Sequence, residues 1–297
     1  DPVQEELEKS FPAVKLALTG KFKRQLPIID EIEFVMEAPA ATLEKTLSAN
    51  TKFQHIKNEE GYLLFGTGAG VNLKIYEAVP GRFMDTYLKT SSSPAFYTSI
   101  QNKITGAETE TKAFENAGLP FIPAFLRENP EILTSNRFDE AALIQPGDIK
   151  GIIHCHSNWS DGSHTIEQMA LAAKKLGMEY LVISDHSKSA FYAQGLFEEK
   201  VLEQHRYIDE LNEQLKPFKI FKSIESDILN NGNLDYDDSI LARFDLVIAS
   251  IHSNLKMTEE KAMMRLLNAI KNPYTTILGH LTGRLLLSRE GYPVNHS

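Results

Sequence analysis

Five short blocks in the second half of the chain are rich in histidine and acid: His154-Cys155-His156, Asp185-His186, Glu225-Ser226-Asp227, His252 and His280. Imidazole and carboxylate without thiolate suit zinc, manganese or iron. A cluster of two or three such ions holds a phosphoryl oxygen, lowers the pKa of a bound water and neutralises charge in the displacement. Phosphoester hydrolysis is the reaction class such a donor set serves. His154 and His156 are two residues apart at a strand end, so both imidazoles point to one side, and Cys155 faces the other way as a small hydrophobe. The turn over 157–162 can swing Asp161 back over the site, or Asp161 and Ser163 can cap the next helix. Glu225 is placed to bridge two cations. Asp227 is an alternative ligand or a loop cap. The candidate ligands are therefore His154, His156, Asp161, His186, Glu225, His252 and His280. Lys188, Arg284 and Arg289 follow ligand blocks and are candidates for holding a substrate phosphate, although solvated surface charge explains them equally well. His55, His164, His205 and His296 are read as surface or satisfied residues.

Each block follows a short apolar run, and the rhythm from Gly151 onward is strand, helix, strand, helix. Residues 180–184 form a near-continuous apolar strand, and residues 218–224, 244–251 and 275–278 read as further strands, joining the run before His154. Helices are expected over 165–176, 198–215 and 258–271. In the first of these, Ile166, Met169, Ala170, Ala173 and Leu176 face inward and Gly177 lies just past the end. Continuous apolar strands alternating with amphipathic helices mean a parallel sheet covered by helices. In such folds the C-terminal strand ends open onto one face, where these ligands would converge. Five strands are visible, so either the sheet is open or the rest of a barrel lies beyond Ser297.

The first half reads differently. A helix is expected over 1–20, with Leu7, Phe11, Val14 and Leu18 on one face. Residues 28–37 alternate apolar and acidic, as a half-buried strand does. A short helix over 41–48 and a strand meander over 52–57, 61–66 and 71–79 follow. Residues 83–103 are mostly helical with a break near 91–94, then a proline-bearing irregular stretch leads to a linker at 145–148. The 297 residues, 42% hydrophobic, suffice for two or three domains, and the net charge of −9 argues against a broad basic nucleic-acid surface. Bound cations can still recruit a nucleic-acid substrate. Cys155 is the sole cysteine, so no intrachain disulfide forms, which fits a cytoplasmic protein. No signal peptide or membrane-spanning stretch is found. The start at Asp1 and the stop in Gly-Tyr-Pro-Val-Asn-His-Ser read as cut ends.

The words His154-x-His156…Ser160-Asp161-Gly162, Ser184-Asp185-His186-Ser187, Ile224-Glu225-Ser226-Asp227-Ile228, Ser250-Ile251-His252-Ser253 and Gly279-His280-x-Thr282-Gly283-Arg284 resemble the PHP (polymerase and histidinol phosphatase) domain over residues 146–297. The version they are most similar to stands at the C-terminus of bacterial X-family DNA polymerases. The resemblance implies an α/β fold, a distorted seven-stranded β/α barrel that is C-terminally incomplete here. It also implies two or three divalent metal ions (manganese, zinc or iron). His154, His156 and Glu225 would serve one ion, Glu225, His252 and His280 a second, and Asp161 and His186 a third. His154, His156 and Glu225 would act in catalysis through the bound metal. The family's later Asp-x-His pair does not occur before Ser297, and Leu281 replaces a frequent proline.

About residues 1–140 resemble, more loosely, the α+β palm and small thumb of the same polymerases. The words are Gly20-Lys21-Phe22-Lys23-Arg24, Ile29-Asp30-Glu31-Ile32-Glu33-Phe34-Val35, Val71-Asn72-Leu73-Lys74-Ile75, and Gly118-Leu119-Pro120-Phe121-Ile122-Pro123…Leu126-Arg127-Glu128. A palm-like domain is expected over 1–87, a thumb with linker over 88–145 and the PHP domain over 146–297. An active palm has a serine after the glycine, an Asp-x-Asp pair and a third aspartate. Here Lys21, Glu31, Glu33 and Asn72 hold those positions. Glutamate overshoots a tight octahedral site and Asn72 removes a charge, so no polymerase activity is expected.

The resulting expectation is a metal-dependent phosphoesterase acting on DNA in repair, by 3′-to-5′ exonuclease action or 3′-end processing. A small-molecule phosphatase of the histidinol-phosphate type is one alternative, and a non-catalytic DNA-binding or scaffold module is another. DNA is the expected partner, with no membrane association, and the oligomeric state is open.

Overall fold

A computed structural model describes residues 2–296 except 69, 105 and 135–138. The chain divides into two compact units, Asp1–Leu143 and Ile144–Ser297.

The first unit opens with α1 (Pro2–Ser10), followed by β1 (Leu16–Thr19) and the short α2 (Gly20–Lys23). The expected helix over 1–20 is thus corrected to one that stops at Ser10. Pro12 disfavours helical geometry at the residue before it, and residues 16–19 gain a strand partner instead. That partner is β2 (Glu31–Met36), antiparallel, with Leu16 opposite Met36. There follow α3 (Ala40–Ser48), β3 (Gln54–Glu59), β4 (Tyr62–Gly66) and β5 (Asn72–Glu77). The sheet order is β1-β2-β5-β4-β3, and β2 and β5 run parallel. The half-buried expectation for β2 also needs correction, because both of its faces are covered. Phe34 and Met36 pack with Leu7, Leu43 and Phe65, while Val35 packs with Ala78, Phe83 and Tyr87 on the other side.

The helices α4 (Phe83–Thr90), α5 (Pro94–Ile100) and α6 (Glu110–Asn116) follow, and α6 lies outside the helices expected from the sequence. The break between α4 and α5 has a local cause: Ser93 caps α5 by accepting from the Phe96 amide, with Pro94 in the first turn. These helices enclose a separate core of Leu88, Phe96, Ile100, Phe114 and Ile122. The buried Arg127 guanidinium joins it, donating to the Ile122 carbonyl (2.7 Å), Ser91 Oγ (3.1 Å) and Glu110 Oε1 (2.7 Å).

The second unit alternates β6 (Gly151–Cys155), α7 (Ile166–Lys175), β7 (Tyr180–Ile183), α8 (Glu198–Leu215), β8 (Lys219–Asp227), α9 (Asp238–Leu241), β9 (Leu246–Ser250), α10 (Glu259–Lys271) and β10 (Ile277–Leu278). The five strands form one open sheet, all parallel, in the order β10-β9-β8-β7-β6. Sequential order places every C-terminal strand end along one edge. Two details of α7 differ from expectation. Thr165, not Asp161 or Ser163, caps it, in a reciprocal box with Gln168. Leu176 is 70% exposed rather than inward, because the last helical turn ends before it.

His205 is another correction. It lies on α8 edge-on to Phe244, with ring centroids 4.8 Å apart, and its buried Nε2 has no hydrogen-bond partner. Burial pushes its pKa down from 6.5 to about 4. The folded protein therefore binds fewer protons here than the unfolded chain between those values. The stability this site contributes is complete above the unfolded pKa and is lost as pH falls toward the folded one. From about pH 7 to about pH 5 the loss should be roughly 2 kcal/mol. Urea midpoints at the two pH values should therefore fall further apart in the parent than in His205→Leu. An equal fall in both would contradict this.

Candidate metal centre

Glu225 sits within β8, where it pairs with Ile248 of β9, and its amide donates to the Asp185 carbonyl at 3.0 Å. The expected strand over 218–224 is therefore too short, since the ladder with β9 carries it on to Asp227. The side chain is buried and five imidazoles surround it. Oε1 faces His280 Nε2 (2.8 Å), His154 Nε2 (3.0 Å) and His252 Nε2 (3.2 Å). Oε2 faces His186 Nδ1 (3.1 Å) and His156 Nε2 (3.5 Å). Asp161 reaches the same cluster, 3.5 Å from His156 Nδ1 and 3.6 Å from His186 Nε2. The seven residues singled out from sequence thus come together from five strand ends and one loop.

Backbone conformation contributes to this convergence. His154 has φ +62° and His280 φ +22°, a region that side-chain-bearing residues rarely adopt. The register of β6 on β7 also shifts between Ile152 and Cys155. Simple strand alternation is therefore not what brings His154 and His156 together. Strain of this kind, about 1–3 kcal/mol per residue, persists where the surroundings over-determine a functional geometry.

The charge state of the cluster fits a cation. Burial opposes ionisation of Glu225, but hydrogen bonds from His154, His252 and His280 outweigh it and hold the carboxyl far below the usual range. Burial likewise opposes charge on His252, and the Asp227 and Glu225 carboxylates overcome it, pushing the imidazole up to about 9. His186 is pushed down, chiefly by burial, toward the neutral form that ligates metals. Nδ1 of His156 and Nδ1 of His186 are buried without a hydrogen bond. An ionised carboxylate and imidazole nitrogens that make no hydrogen bond are what a divalent ion would satisfy, and an ion there would displace the proton that the carboxylates draw onto His252. Among the described residues three triads have donor atoms mutually within 4.8 Å: His154–His156–Glu225, His156–Asp161–His186 and His186–Glu225–His252. His280, although 2.8 Å from Glu225, belongs to none of the three.

Two residues carry roles that sequence reading missed. Asp227 accepts a hydrogen bond from His252 Nδ1, the carboxylate–histidine pairing that fixes ring orientation at metal sites. Asp185 is fully buried, turned away from the cluster, and binds the loop that carries Asp161. It accepts from the Ser157 amide (2.7 Å), Ser157 Oγ (2.7 Å), Ser160 Oγ (2.6 Å) and Gln204 Nε2 (2.7 Å). Ser157 and Ser160 in the turn were the available clue; nothing in the sequence pointed to Gln204. Cys155 packs on the apolar core of Leu181 and Ile183, and burial raises its thiol pKa.

Of the three basic candidates, Lys188 is engaged, 2.6 Å from Glu198. Arg284 is exposed and lines a cavity of about 370 Å³ with Tyr192, His252, His280 and Arg289. Arg289 donates to the Gly283 carbonyl at 2.8 Å within the same rim.

In the first unit the acids of β2 have partners of their own. Glu31 stands opposite Asn72 in the ladder and lies 3.5 Å from Lys74 Nζ. Glu33 is buried, accepting from the Lys21 amide (2.8 Å) and the Tyr76 hydroxyl (2.7 Å). Gly20, at φ +68°, is required: a Cβ there would lie 2.0 Å from the Glu33 carboxylate. Asp30 pairs with Lys21 Nζ.

The PHP domain family matches residues 153–287. The DNA polymerase/3′-5′ exonuclease PolX of Bacillus subtilis (strain 168) is 43% identical over 187 residues, 63% of this chain and 33% of that protein. A probable phosphatase of Thermoanaerobacter sp. (strain X514) is 31% identical over 139 residues, 44% of this chain and 54% of that protein. A probable phosphatase of Acetivibrio thermocellus is 30% identical over 138 residues, 44% of this chain and 55% of its own length. The chain spans about a third of the first relative and about half of the other two. It is a relative of the X-family DNA polymerases that carry a PHP domain. Among the described residues no helix is long and apolar enough to cross a membrane.

Proposed function

We propose that this relative of the PHP-bearing X-family polymerases is a metal-dependent phosphoesterase that trims or processes the 3′ end of DNA, in a repair setting in the cytoplasm. The observation that carries this reading is the buried Glu225 carboxylate with five imidazoles within 3.5 Å of it. Two or three divalent ions, manganese, zinc or iron, would supply a water of lowered pKa and offset the charge of the phosphoryl group. His154, His156 and Glu225 would hold one ion, with Asp161, His186, His252 and His280 holding the rest. Asp227 orients the His252 ring, and Glu225, held in the β8–β9 ladder, keeps the donors in place without rearrangement. Arg284 stands exposed at the mouth of the cavity beside His252 and His280 and would take a substrate phosphate; Lys188, paired with Glu198, is the weaker candidate.

Residues 1–87 serve as a palm-like domain and residues 88–145 as a thumb with linker, preceding the PHP domain over 146–297. The polymerase site is proposed to be inactive. Glu31, Glu33 and Asp30 each spend their charge on Lys74, on Lys21 and Tyr76, or on Lys21. Asn72 adds none, so no open acidic pair remains for magnesium. The polymerase/exonuclease relative supports the DNA reading. The probable-phosphatase relatives support a second one, hydrolysis of a small phosphomonoester, in which residues 1–145 have no role.

The deciding experiment compares turnover of a single-stranded oligonucleotide with that of a small phosphomonoester, with manganese or zinc supplied. Faster turnover of the oligonucleotide, with no templated nucleotide addition, is expected. Turnover of the small ester alone would favour the second reading. Templated addition lost in Glu33→Ala would refute the inactive palm.

A further inference from the structure

Beside the metal centre a tight loop displays large aromatic side chains to solvent without any packing reason to do so. Phe191 is 77% exposed, Tyr192 72% and Phe197 52%. The loop that carries them is firmly tied down. Ala190, Ala193 and Leu196 are buried, the Leu196 amide donates to the His186 carbonyl (2.8 Å), and the Tyr236 hydroxyl donates to the Leu196 carbonyl (2.5 Å). Gly195 runs so close to the Ser187 carbonyl that a Cβ would lie 1.9 Å from that oxygen. A loop pinned through its small and buried residues could turn its rings inward or carry polar ones. Exposed aromatic residues fixed in this way mark a contact surface.

The two neighbouring rings serve different hollows. Tyr192 sits edge-on to the His186 ring at 6.1 Å and lines the cavity it shares with His252, His280 and Arg284. Phe191 lines a second cavity, also about 370 Å³, with Trp159, Phe197 and Lys200, whose ammonium lies 5.3 Å over the Trp159 ring. Both volumes fall within the range of about 300–1,000 Å³ typical of small-molecule sites. Successive aromatic faces beside cationic groups are how proteins hold the bases of a single strand, because every base offers a π-face while the cations track phosphates.

We propose that Tyr192 and Phe191 form a stacking platform for the last two bases of a single-stranded DNA 3′ end, with Tyr192 holding the terminal base at the metal centre and Phe191 the one before it. This inference rests on the DNA reading of the site and adds to it how the strand is gripped. The cavity holding Tyr192 also holds His252 and His280, so a base stacked there has its phosphate near the proposed ligands.

The test is equilibrium binding to the full chain, read by fluorescence anisotropy, so that it does not depend on turnover. The probes are a 5′-labelled oligothymidylate and the same strand with abasic sugars at its two 3′-terminal positions. The parent protein should prefer the base-bearing strand by at least about fivefold, the low end of one stacked base. Phe191→Ala and Tyr192→Ala should each reduce that preference, whereas Phe191→Tyr and Tyr192→Phe should keep it. A parent with no preference, or alanine variants that keep the parent's preference, overturns the platform. Lost preference in the alanine variants, with no hydrolysis of the oligonucleotide by the parent, would instead uphold the platform and refute DNA hydrolysis at the metal centre.

Discussion

Glu225→Gln is expected to remove the bound metal and phosphoester hydrolysis together while leaving the fold intact. The substitution keeps the shape of the side chain and its place in the β8–β9 ladder. It removes the one buried negative charge that five imidazoles face, and it puts amide protons where nitrogen donors already crowd. Loss of an outer partner of a metal ligand costs about 10- to 100-fold in affinity or activity. Loss of the carboxylate shared by the whole cluster should exceed that, so a fall of more than about a hundredfold in turnover is expected. Elemental analysis of the purified protein should show the metal content falling with it. If the variant retained the parent's metal content and turned over the oligonucleotide at a comparable rate, Glu225 would not be a ligand and the proposed centre would fail.

Asp185→Ala should have the largest effect on stability. The fully buried carboxylate accepts four hydrogen bonds, from the Ser157 amide and hydroxyl, the Ser160 hydroxyl and the Gln204 amide. Removing it leaves those donors buried and unpaired, at about 1–3 kcal/mol for each that finds no substitute. Partial relaxation brings the expected total to about 3–5 kcal/mol, as for breaking a buried polar pair. The thermal midpoint of the second unit should fall by roughly 10 °C. Because the same bonds hold the loop bearing Asp161, metal affinity should fall even in the folded fraction. Asp185→Asn separates shape from charge, because its amide would present protons to donors. It should therefore recover only part of the loss. A variant as stable as the parent would mean that the four bonds contribute nothing net.

The rhythm of the second half was legible because period and punctuation agreed. Continuous apolar runs such as the one ending at Ser184, amphipathic stretches such as α8, and stops at Gly177 and Pro217 leave few alternatives. In the first half the periodicity was misleading. Val14 and Leu18 fall at helical spacing from Leu7, yet Pro12 interrupts the helix and β2 recruits the next residues into a sheet. A strand pairing of that kind is a long-range event that no local window contains. The short α6 was missed because seven residues carry too little periodicity to stand out.

The type and number of the donor side chains, and their places in or near the ends of apolar strands, were legible in the sequence, and with them a parallel sheet that gathers donors at one edge. The sequence also shows that the acids of β2 are glutamates and that residue 72 is asparagine, whereas the register of β2 on β5 is what sets Asn72 opposite Glu31. That Glu225 is the hub, that Asp227 orients His252 and that Asp185 holds the loop bearing Asp161 emerged from the packed fold. The same packing leaves Tyr192 exposed beside the histidines and Phe191 exposed over a second cavity. Side-chain type follows from covalent chemistry and is local. Which carboxylate faces a cluster and which anchors it depends on bulges, left-handed residues such as His154, and strand register. Those are settled only when the whole sheet has packed.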